Sequence, residues 1–340
     1  MTNASSTSIS IAPDFYETLA DVVKQAPTAL ELSRRVRKDG LRSVYLVGCG
    51  GSHFAAFPGY DILLREATDL IVHHLTSAQF ALRPPSGCDK SSLVVAASHS
   101  GATPETVEAA RAAKSTGATV AAITRRGDSP LRQLADVVFD YPSDVTVNES
   151  KTIHFAQLAL ALLEAGGGTN VAREAFAALP AALLQLKTEC EALGRRVGEL
   201  IAGTDLVYTV AAGGAFGAAA ALAGCYLQEM QWLHAAAIDA GDFFHGPFEV
   251  VIDETVVIVF IGEDETRQLG ERVANFTRRY SSRVMVIDSR QFTLPGISEE
   301  QRGLVGSIAL ASAARRLLDF ISVARHHDTA QRRYMYKVDY

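Results

Sequence analysis

Three apolar segments in the first half of this chain recur in the second half, and this repeat limits the possible folds more than any other feature. The aligned pairs are SVYLVGCGGS (43–52) with LVYTVAAGGA (206–215), VVAASHSGAT (94–103) with VIVFIGEDET (257–266), and TVAAIT (119–124) with RVMVID (283–288). The first two pairs are offset by 163 residues (206 minus 43), and the third by 164 (283 minus 119). A nearly fixed offset over three segments indicates a duplicated structural unit.

Apolar runs alternate with helix-forming stretches along the chain. The segments assigned in the first half are strands 44–47, 93–97, 119–123 and 137–139, and helices 105–115 and 153–165. Strands that are apolar throughout are typical of parallel sheets covered on both faces. The 340 residues are enough for about two domains. The predicted fold class is therefore α/β, with mostly parallel sheets crossed by helices.

Two loops of the first unit have the composition of an anion site. Each follows a predicted strand and precedes a predicted helix, at the sheet edge where ligands bind in such folds. The first loop is GCGGSH at 48–53, and the second is SHSGAT at 98–103. Glycines such as Gly50 and Gly51 let the backbone approach an anion, and free N–H groups at a helix start point towards it. Serine and threonine hydroxyls add donors, and Thr103 is also placed to cap the following helix.

The alternative interpretation is that these hydroxyls only cap helices. The repeat argues against it, because Ser98 and Ser100 align with Ile261 and Glu263, so the second copy has lost hydroxyls and gained acid. A phosphate beside Glu263 would be repelled, which assigns the anion site to the first copy. A dinucleotide fingerprint is broken at His53 and no Walker motif is present, which favours a phosphorylated small molecule over a nucleotide.

These loops, in a duplicated α/β chain, resemble those of the sugar isomerase (SIS) domain family over roughly residues 35–340. The segment CYLQEMQWLHAAAIDAGDFFHGPFEVVI at 225–252 is similar to the isomerase half of glucosamine-fructose-6-phosphate aminotransferase. It is closer still to bacterial fructosamine-6-phosphate deglycases, which split a phosphorylated sugar–amino acid conjugate into glucose 6-phosphate and the amino acid.

The resemblance implies two tandem SIS domains, each a three-layer αβα sandwich. The predicted divisions are an N-terminal tail and helix (1–34), a phosphosugar-binding first domain (35–168), a helical linker (169–200), a second domain with a degenerate phosphate loop (201–325) and a closing tail (326–340).

The same resemblance implies roles for individual residues. The positions that match substrate contacts are Ser52, Ser98, His99, Ser100, Thr103 and the tail residue Lys337. Glu229 matches a catalytic carboxylate and His245 a catalytic histidine. In relatives that histidine comes from the other subunit, which implies a homodimer. Lys151 is a further candidate for the sugar, its alternative role being a surface lysine beside a helix start.

The resemblance implies deglycase chemistry, in which a proton leaves C1 of a fructosamine, another arrives at C2, and water hydrolyses the resulting imine. We expect Glu229 to be the base and His245 the acid, and the reverse assignment stays open. The attached amino acid is not identified by the sequence, and the candidates to meet its carboxylate are Arg332, Arg333 and Lys337.

Two alternatives remain: an amino-sugar-phosphate isomerase or deaminase, and a phosphosugar sensor without turnover. The aminotransferase has a lysine three residues before its glutamate where this chain has Tyr226, so glucosamine synthesis in that manner is not expected. Such sensors usually carry a DNA-binding module, for which the segment before residue 43 is too short and too weakly basic.

Composition narrows the class of protein further. The net charge of −6, without a basic stripe, gives no reason to expect a nucleic-acid partner. The polar N-terminus is not a signal peptide, and no apolar run is long enough to span a membrane. Four scattered cysteines are typical of reduced thiols, so we predict a cytoplasmic protein. The pairs His73–His74 and His326–His327 lack the spacing of metal ligands, and we expect neither a metal nor a cofactor.

Overall fold

The predicted strands are all present, and each belongs to one of two parallel sheets. The computed structural model describes residues 9–168 and 172–339. The strands in these residues are β1 (Ser43–Gly48), β2 (Ile71–Thr76), β3 (Ser92–Ala97), β4 (Thr119–Arg125), β5 (Val137–Tyr141), β6 (Leu206–Ala211), β7 (His234–Asp239), β8 (Val256–Ile261) and β9 (Val284–Asp288). The α/β fold class is therefore confirmed.

The four strands of the second sheet have the same order as the first four strands across the first sheet, and the central pairs have the same register. The first sheet runs β2-β1-β3-β4-β5, and the second runs β7-β6-β8-β9. Val44 pairs with Leu93 in the first sheet, and in the second Val207 pairs with Val256, each residue lying 163 positions further along. Parallel pairing at the same offset in both sheets is what two tandem units of one fold require.

The edge strands β2 and β7 were not predicted. In β2, IVHHLT, two histidines interrupt the apolar residues, and alanine makes up half of β7, HAAAID, so neither has the apolar run of the central strands. Their starts, Ile71 and His234, are again separated by 163 residues (234 minus 71). The repeat therefore contains the signal for both strands, although their composition does not.

Helices cover both faces of each sheet. The α-helices are α1 (Phe15–Val23), α2 (Ala26–Lys38), α3 (Gly51–Phe54), α4 (Phe57–Glu66), α5 (Ser77–Leu82), α6 (Pro104–Ser115), α7 (Pro130–Leu134), α8 (Val147–Ala165), α9 (Arg173–Ala202), α10 (Phe216–Ala220), α11 (Arg267–Tyr280) and α12 (Glu299–Arg325). A π-helix, Ala221–Glu229, continues α10. Three short 3₁₀ turns are Gly213–Ala215, Pro247–Val250 and Ser289–Gln291. The helices predicted at 105–115 and 153–165 are confirmed as α6 and as most of α8.

The two halves share a central core. One continuous hydrophobic cluster joins the inner faces of both sheets to the long helices α8, α9 and α12. The outer face of the first sheet packs on α5, α6 and α7, and that of the second sheet packs on α11. Each sheet therefore lies between two helical layers, and the inner layers are fused. Helix α9 covers most of the predicted linker, whose residues 169–171 lie outside the described residues.

The sequence predicts no membrane-spanning segment, and the helices of the structure can be compared with this prediction. Within residues 9–168 and 172–339, no helix combines the length and apolar character needed to cross a bilayer.

The contact between α9 and α12 depends on a glycine. A Cβ added to Gly194 would lie 2.2 Å from the Phe320 ring of α12. We expect Gly194→Ala to reduce the free energy of unfolding by about 1–3 kcal/mol, because the helices must separate to admit the methyl group. Gly203→Ala is the matched control, since a Cβ there meets nothing within 4 Å. Urea unfolding would measure both, and equal stability of the two variants would contradict this packing argument.

Candidate active site

The two predicted anion loops lie side by side because β1 and β3 are neighbouring parallel strands. The first loop connects β1 to α3, and the second connects β3 to α6. Gly50 has a φ of +50° and Gly101 a φ of +64°, a backbone region that favours glycine. A Cβ at Gly101 would also lie only 2.2 Å from Oγ of Ser129. Both loops therefore need their glycines to keep this shape.

The hydroxyls of the second loop form one hydrogen-bonded group. Oγ of Ser98 lies 2.8 Å from Oγ1 of Thr103 and 3.5 Å from Oγ of Ser100. Backbone N–H groups of Gly101 and Ala102 donate to the two serine hydroxyls. Thr103 is the N-cap residue of α6, but its hydroxyl bonds Ser98 and makes no capping bond. The loop is thus ordered by the same hydroxyls that a phosphate would use.

A buried cation lies beneath the first loop. Lys151, in α8, is only 4% exposed, and its Nζ donates to Oγ of Ser52 at 3.0 Å. Burial lowers the pKa of Lys151 to about 8, although the charge of Glu229 acts in the opposite direction. The alternative of a surface lysine is therefore wrong. Among the described residues, no carboxylate lies within ion-pair distance of Lys151, so a bound anion would supply its missing counter-charge.

His99 is turned towards the rim of the site. Its Nδ1 lies 3.2 Å from the hydroxyl of Tyr141, and its Nε2 lies 3.3 Å from a carboxylate oxygen of Asp144. Burial, followed by the charge of Lys151, lowers the pKa of His99. Both ring nitrogens are thus engaged outside the hydroxyl group formed by Ser98, Ser100 and Thr103.

In the equivalent loop of the second unit, the acidic residue is paired with an arginine of the same unit. Both carboxylate oxygens of Glu263, which aligns with Ser100, accept from Nε of Arg302 at 2.9 and 3.0 Å. Nη2 of Arg302 also donates to the carbonyls of Ser289 and Phe292. The acid that aligns with a hydroxyl of the first unit is therefore neutralised by a fixed guanidinium of its own unit.

Glu229 ends the π-helix and faces the first unit. Cys225, four residues earlier, lies 3.5 Å from the position of a Cβ on Gly51, so the π-helix packs directly against the first anion loop. π-Helical turns are rare and are frequent at functional sites. The Glu229 carboxylate, about a quarter exposed, is paired with Nη2 of Arg332 at 2.8 Å. This pair was not anticipated from the sequence.

Two predicted site residues lie apart from this cluster in a single chain. His245 is exposed in the turn after β7, where its backbone N–H donates to the carbonyl of Asp242. Lys337 is exposed in the tail, where its N–H donates to the carbonyl of Tyr334. In the described part of the chain, no hydrogen bond or ion pair joins either side chain to Glu229.

The C-terminal segment is fastened beside Glu229. His326 adopts a left-handed conformation, φ +51°, that ends α12. The carbonyl of His327 accepts from the buried Gln231 at 3.0 Å, and its ring lies 4.5 Å from that of Trp232. The guanidinium of Arg333 lies 4.5 Å over the same indole. The second histidine pair thus shapes and anchors the tail.

The first histidine pair belongs to β2. The ring of His74 stacks on that of His53 with centroids 3.9 Å apart, and His73 stacks on Tyr45. Burial, together with the charge of His53, lowers the pKa of His74 to about 4, so its ring is neutral near pH 7.

A cavity of about 600 Å³ opens between the end of the π-helix and the tail. Its lining includes Gln228, Glu229, Trp232, Arg332, Arg333 and Tyr334. The site therefore has two adjoining parts, an anion cradle on the first unit and this cavity, with the carboxylate of Glu229 between them.

Tyr226, which was compared above with a lysine of the aminotransferase, is a residue of the π-helix. It is 4% exposed, and its hydroxyl has no hydrogen-bond partner among the described residues. Burial and the charge of Glu149 raise its pKa well above the ordinary value. Tyr226 thus points into the core and away from solvent.

Ligand binding should depend on the protonation of Lys151. Because its pKa is about 8 in the free protein, the affinity for dianionic glucose 6-phosphate should fall about tenfold from pH 7 to pH 9. Titration calorimetry across this range would measure the fall. The Lys151→Met variant should bind weakly with no such slope, and thermal unfolding would verify that it is folded. An equal slope in both proteins would contradict the assignment.

Comparison with known proteins identifies the family of this chain. The model of the SIS domain family matches residues 41–165, inside the predicted first domain. The fructosamine deglycase FrlB of Bacillus subtilis (strain 168) is 33% identical over 303 residues, covering 87% of this chain and 92% of that protein. The fructoselysine 6-phosphate deglycase of Escherichia coli (strain K12) is 28% identical, over 88% of this chain and 86% of its own length.

Solved structures agree with these matches. A Bacillus subtilis protein described as a phosphosugar isomerase superposes with a TM-score of 0.86 at 30% identity, covering 95% of this chain and 99% of that one. The C-terminal domain of glucosamine-fructose-6-phosphate aminotransferase from Francisella tularensis has the same fold, with a TM-score of 0.77 at 16% identity over 93% of this chain and 95% of that one. The chain therefore belongs to the family of SIS-domain enzymes that includes the B. subtilis fructosamine deglycase.

Proposed function

We propose that this enzyme cleaves a fructosyl-amino-acid 6-phosphate, with water, into glucose 6-phosphate and the free amino acid. The observation that carries the proposal is the arrangement of Lys151 and Glu229, a buried unpaired cation and a carboxylate on either side of the Gly51–Cys225 contact. Family membership and the names of the relatives support the same reaction.

The phosphate would bind to the first unit. The hydroxyls of Ser98, Ser100 and Thr103, which already form one group, would turn their protons towards its oxygens. Lys151 would supply the positive charge through its contact with Ser52. Anchoring at this end fixes the position of the sugar carbons relative to Glu229, which is how binding energy promotes a proton transfer.

Glu229 would act on the other end of the sugar. In the open-chain substrate it removes a proton from C1, while an acid protonates the C2 oxygen, giving an enaminol. Protonation at C2 gives the C1 imine, and water then adds to C1 and releases the amine. Arg332 holds the carboxylate at 2.8 Å in the resting enzyme, so it acts as a positioning residue for the base.

His245 would be the acid, supplied by a second subunit. In one chain it is exposed in the turn that follows β7 and does not contact Glu229. A twofold dimer would bring the histidine of each chain to the other chain's glutamate, because such interfaces are reciprocal. This dimer is part of the proposal, and mixing Glu229→Gln with His245→Ala tests it.

A direct assay tests the reaction. The full-length protein is incubated with several fructosyl-amino-acid 6-phosphates, and release of glucose 6-phosphate is followed with a coupled dehydrogenase. We expect release from at least one conjugate, and loss of turnover in Glu229→Gln. Tight binding of the conjugates without any release would support a phosphosugar sensor and reject the deglycase. Release of ammonia from glucosamine 6-phosphate would support a deaminase instead.

Mixing two inactive variants tests the shared site. Glu229→Gln and His245→Ala are each expected to be inactive and folded. If the site combines Glu229 of one subunit with His245 of the other, half of the sites in each mixed dimer are intact. Equal amounts, unfolded and refolded together, should then recover about a quarter of the wild-type activity. No recovery, despite mass-spectrometric detection of mixed dimers, would contradict the arrangement.

A further inference from the structure

The cavity beside Glu229 is larger than proton transfer at the sugar requires. It measures about 600 Å³ and is bounded by the end of the π-helix on one side and the C-terminal tail on the other. Its lining residues Gly224, Gln228 and Trp232 recur every four positions, whereas the first anion loop contacts the neighbouring face through Cys225. The cavity is thus a compartment distinct from the anion cradle, and Glu229 lines its inner end.

Adjacent arginines in this compartment have different roles. Arg332 is held at both terminal nitrogens, which contact Glu229 and the carbonyls of Thr329 and Gln331, whereas its buried Nε has no hydrogen-bond partner in the described residues. Arg333 contacts only the face of Trp232, and no carboxylate within the described part of the chain pairs with it. Within the described residues, Arg333 is therefore a guanidinium of the cavity lining that has an aromatic contact but no carboxylate partner.

We propose that this cavity binds the amino-acid half of the substrate, with Arg333 receiving its carboxylate. The inference rests on the proposed deglycase function, in which C1 of the sugar lies at Glu229. In a conjugate linked through the α-nitrogen, the carboxylate carbon is only three bonds from C1, so it falls inside the cavity. Trp232 and Tyr334 then provide aromatic surface for the amino-acid side chain.

The charges in the cavity favour conjugates linked through the α-nitrogen over conjugates linked through a lysine ε-nitrogen. Linkage through the α-nitrogen leaves the amino acid with a carboxylate beside the nitrogen that will be released. Linkage through a lysine ε-nitrogen leaves a free α-ammonium as well. Among the described residues that line the cavity, Glu229 is the one that carries a carboxylate, and it is already paired with Arg332. An ammonium there would face Arg333 without a partner, which selects against the ε-linked class.

Matched substrates test the role of Arg333. The 6-phosphofructosyl conjugates of glycine and of glycinamide differ only in the charge of the carboxyl group. We expect wild-type kcat/KM to favour glycine by about ten- to hundredfold, the range for a hydrogen bond to a charged group. Arg333→Gln should remove this preference by raising KM for the glycine conjugate, and inhibition by glucose 6-phosphate would report whether the anion cradle is intact. Arg278→Gln, on the exposed face of α11, is the control for loss of charge.

Different outcomes test the role of Arg333 and the deglycase reaction itself. The role of Arg333 would be overturned if Arg333→Gln turned over its substrates with an unchanged preference for glycine. It would also be overturned if the wild-type enzyme cleaved the ε-lysine conjugate faster than the glycine conjugate. Either result would leave the proposed deglycase reaction intact. If no conjugate is cleaved, calorimetric binding of the glycine and glycinamide conjugates to His245→Ala still measures the carboxylate preference. Equal affinities there would overturn the inference independently of turnover.

Discussion

The contact between Lys151 and Ser52 is the constraint around which the site is arranged. A buried ammonium is costly unless a negative group balances it, and Lys187, which is also buried, meets this condition through Glu149 at 2.7 Å. Lys151 has only a neutral hydroxyl within hydrogen-bond distance in the described residues. Its burial is therefore poorly compensated in the free protein, and the protein retains a cation that a phosphate would stabilise.

The two units differ in the groups that their loops present. The first four strands across each sheet have the same order, and the central pairs have the same register, so each presents two loops at the same edge. In the first unit those loops contain hydroxyls and glycines, with a lysine beneath them. In the second unit Arg302 and Glu263 neutralise each other, and Arg302 also satisfies two backbone carbonyls. The second unit instead contributes the π-helix that brings Glu229 to the first unit's loops.

Much of this organisation could be predicted from the sequence, because apolar runs and glycine-rich turns are local signals. The central strands and the two anion loops are of this kind. The burial of Lys151 and its bond to Ser52 depend on how α8 packs against α3. The two residues are 99 positions apart in the sequence, and no local pattern encodes a contact over that separation. The pair between Glu229 and Arg332 likewise depends on where the tail lies after α12 ends at His326.

The tail completes the site, since its path is set by groups of the second unit. Gln231 is buried, and its amide donates to the carbonyl of His327, which fixes the chain directly after α12. Trp232 adopts a positive φ of 52°, which is unusual for a bulky residue. In that conformation its ring lies between His327 and Arg333. Backbone strain at a residue next to a functional group persists only where surrounding contacts hold it. Here the contacts held by Trp232 place Arg332 against Glu229 and leave Arg333 facing the cavity, so in the proposed reaction the residues that orient Glu229 would also determine what the cavity accepts.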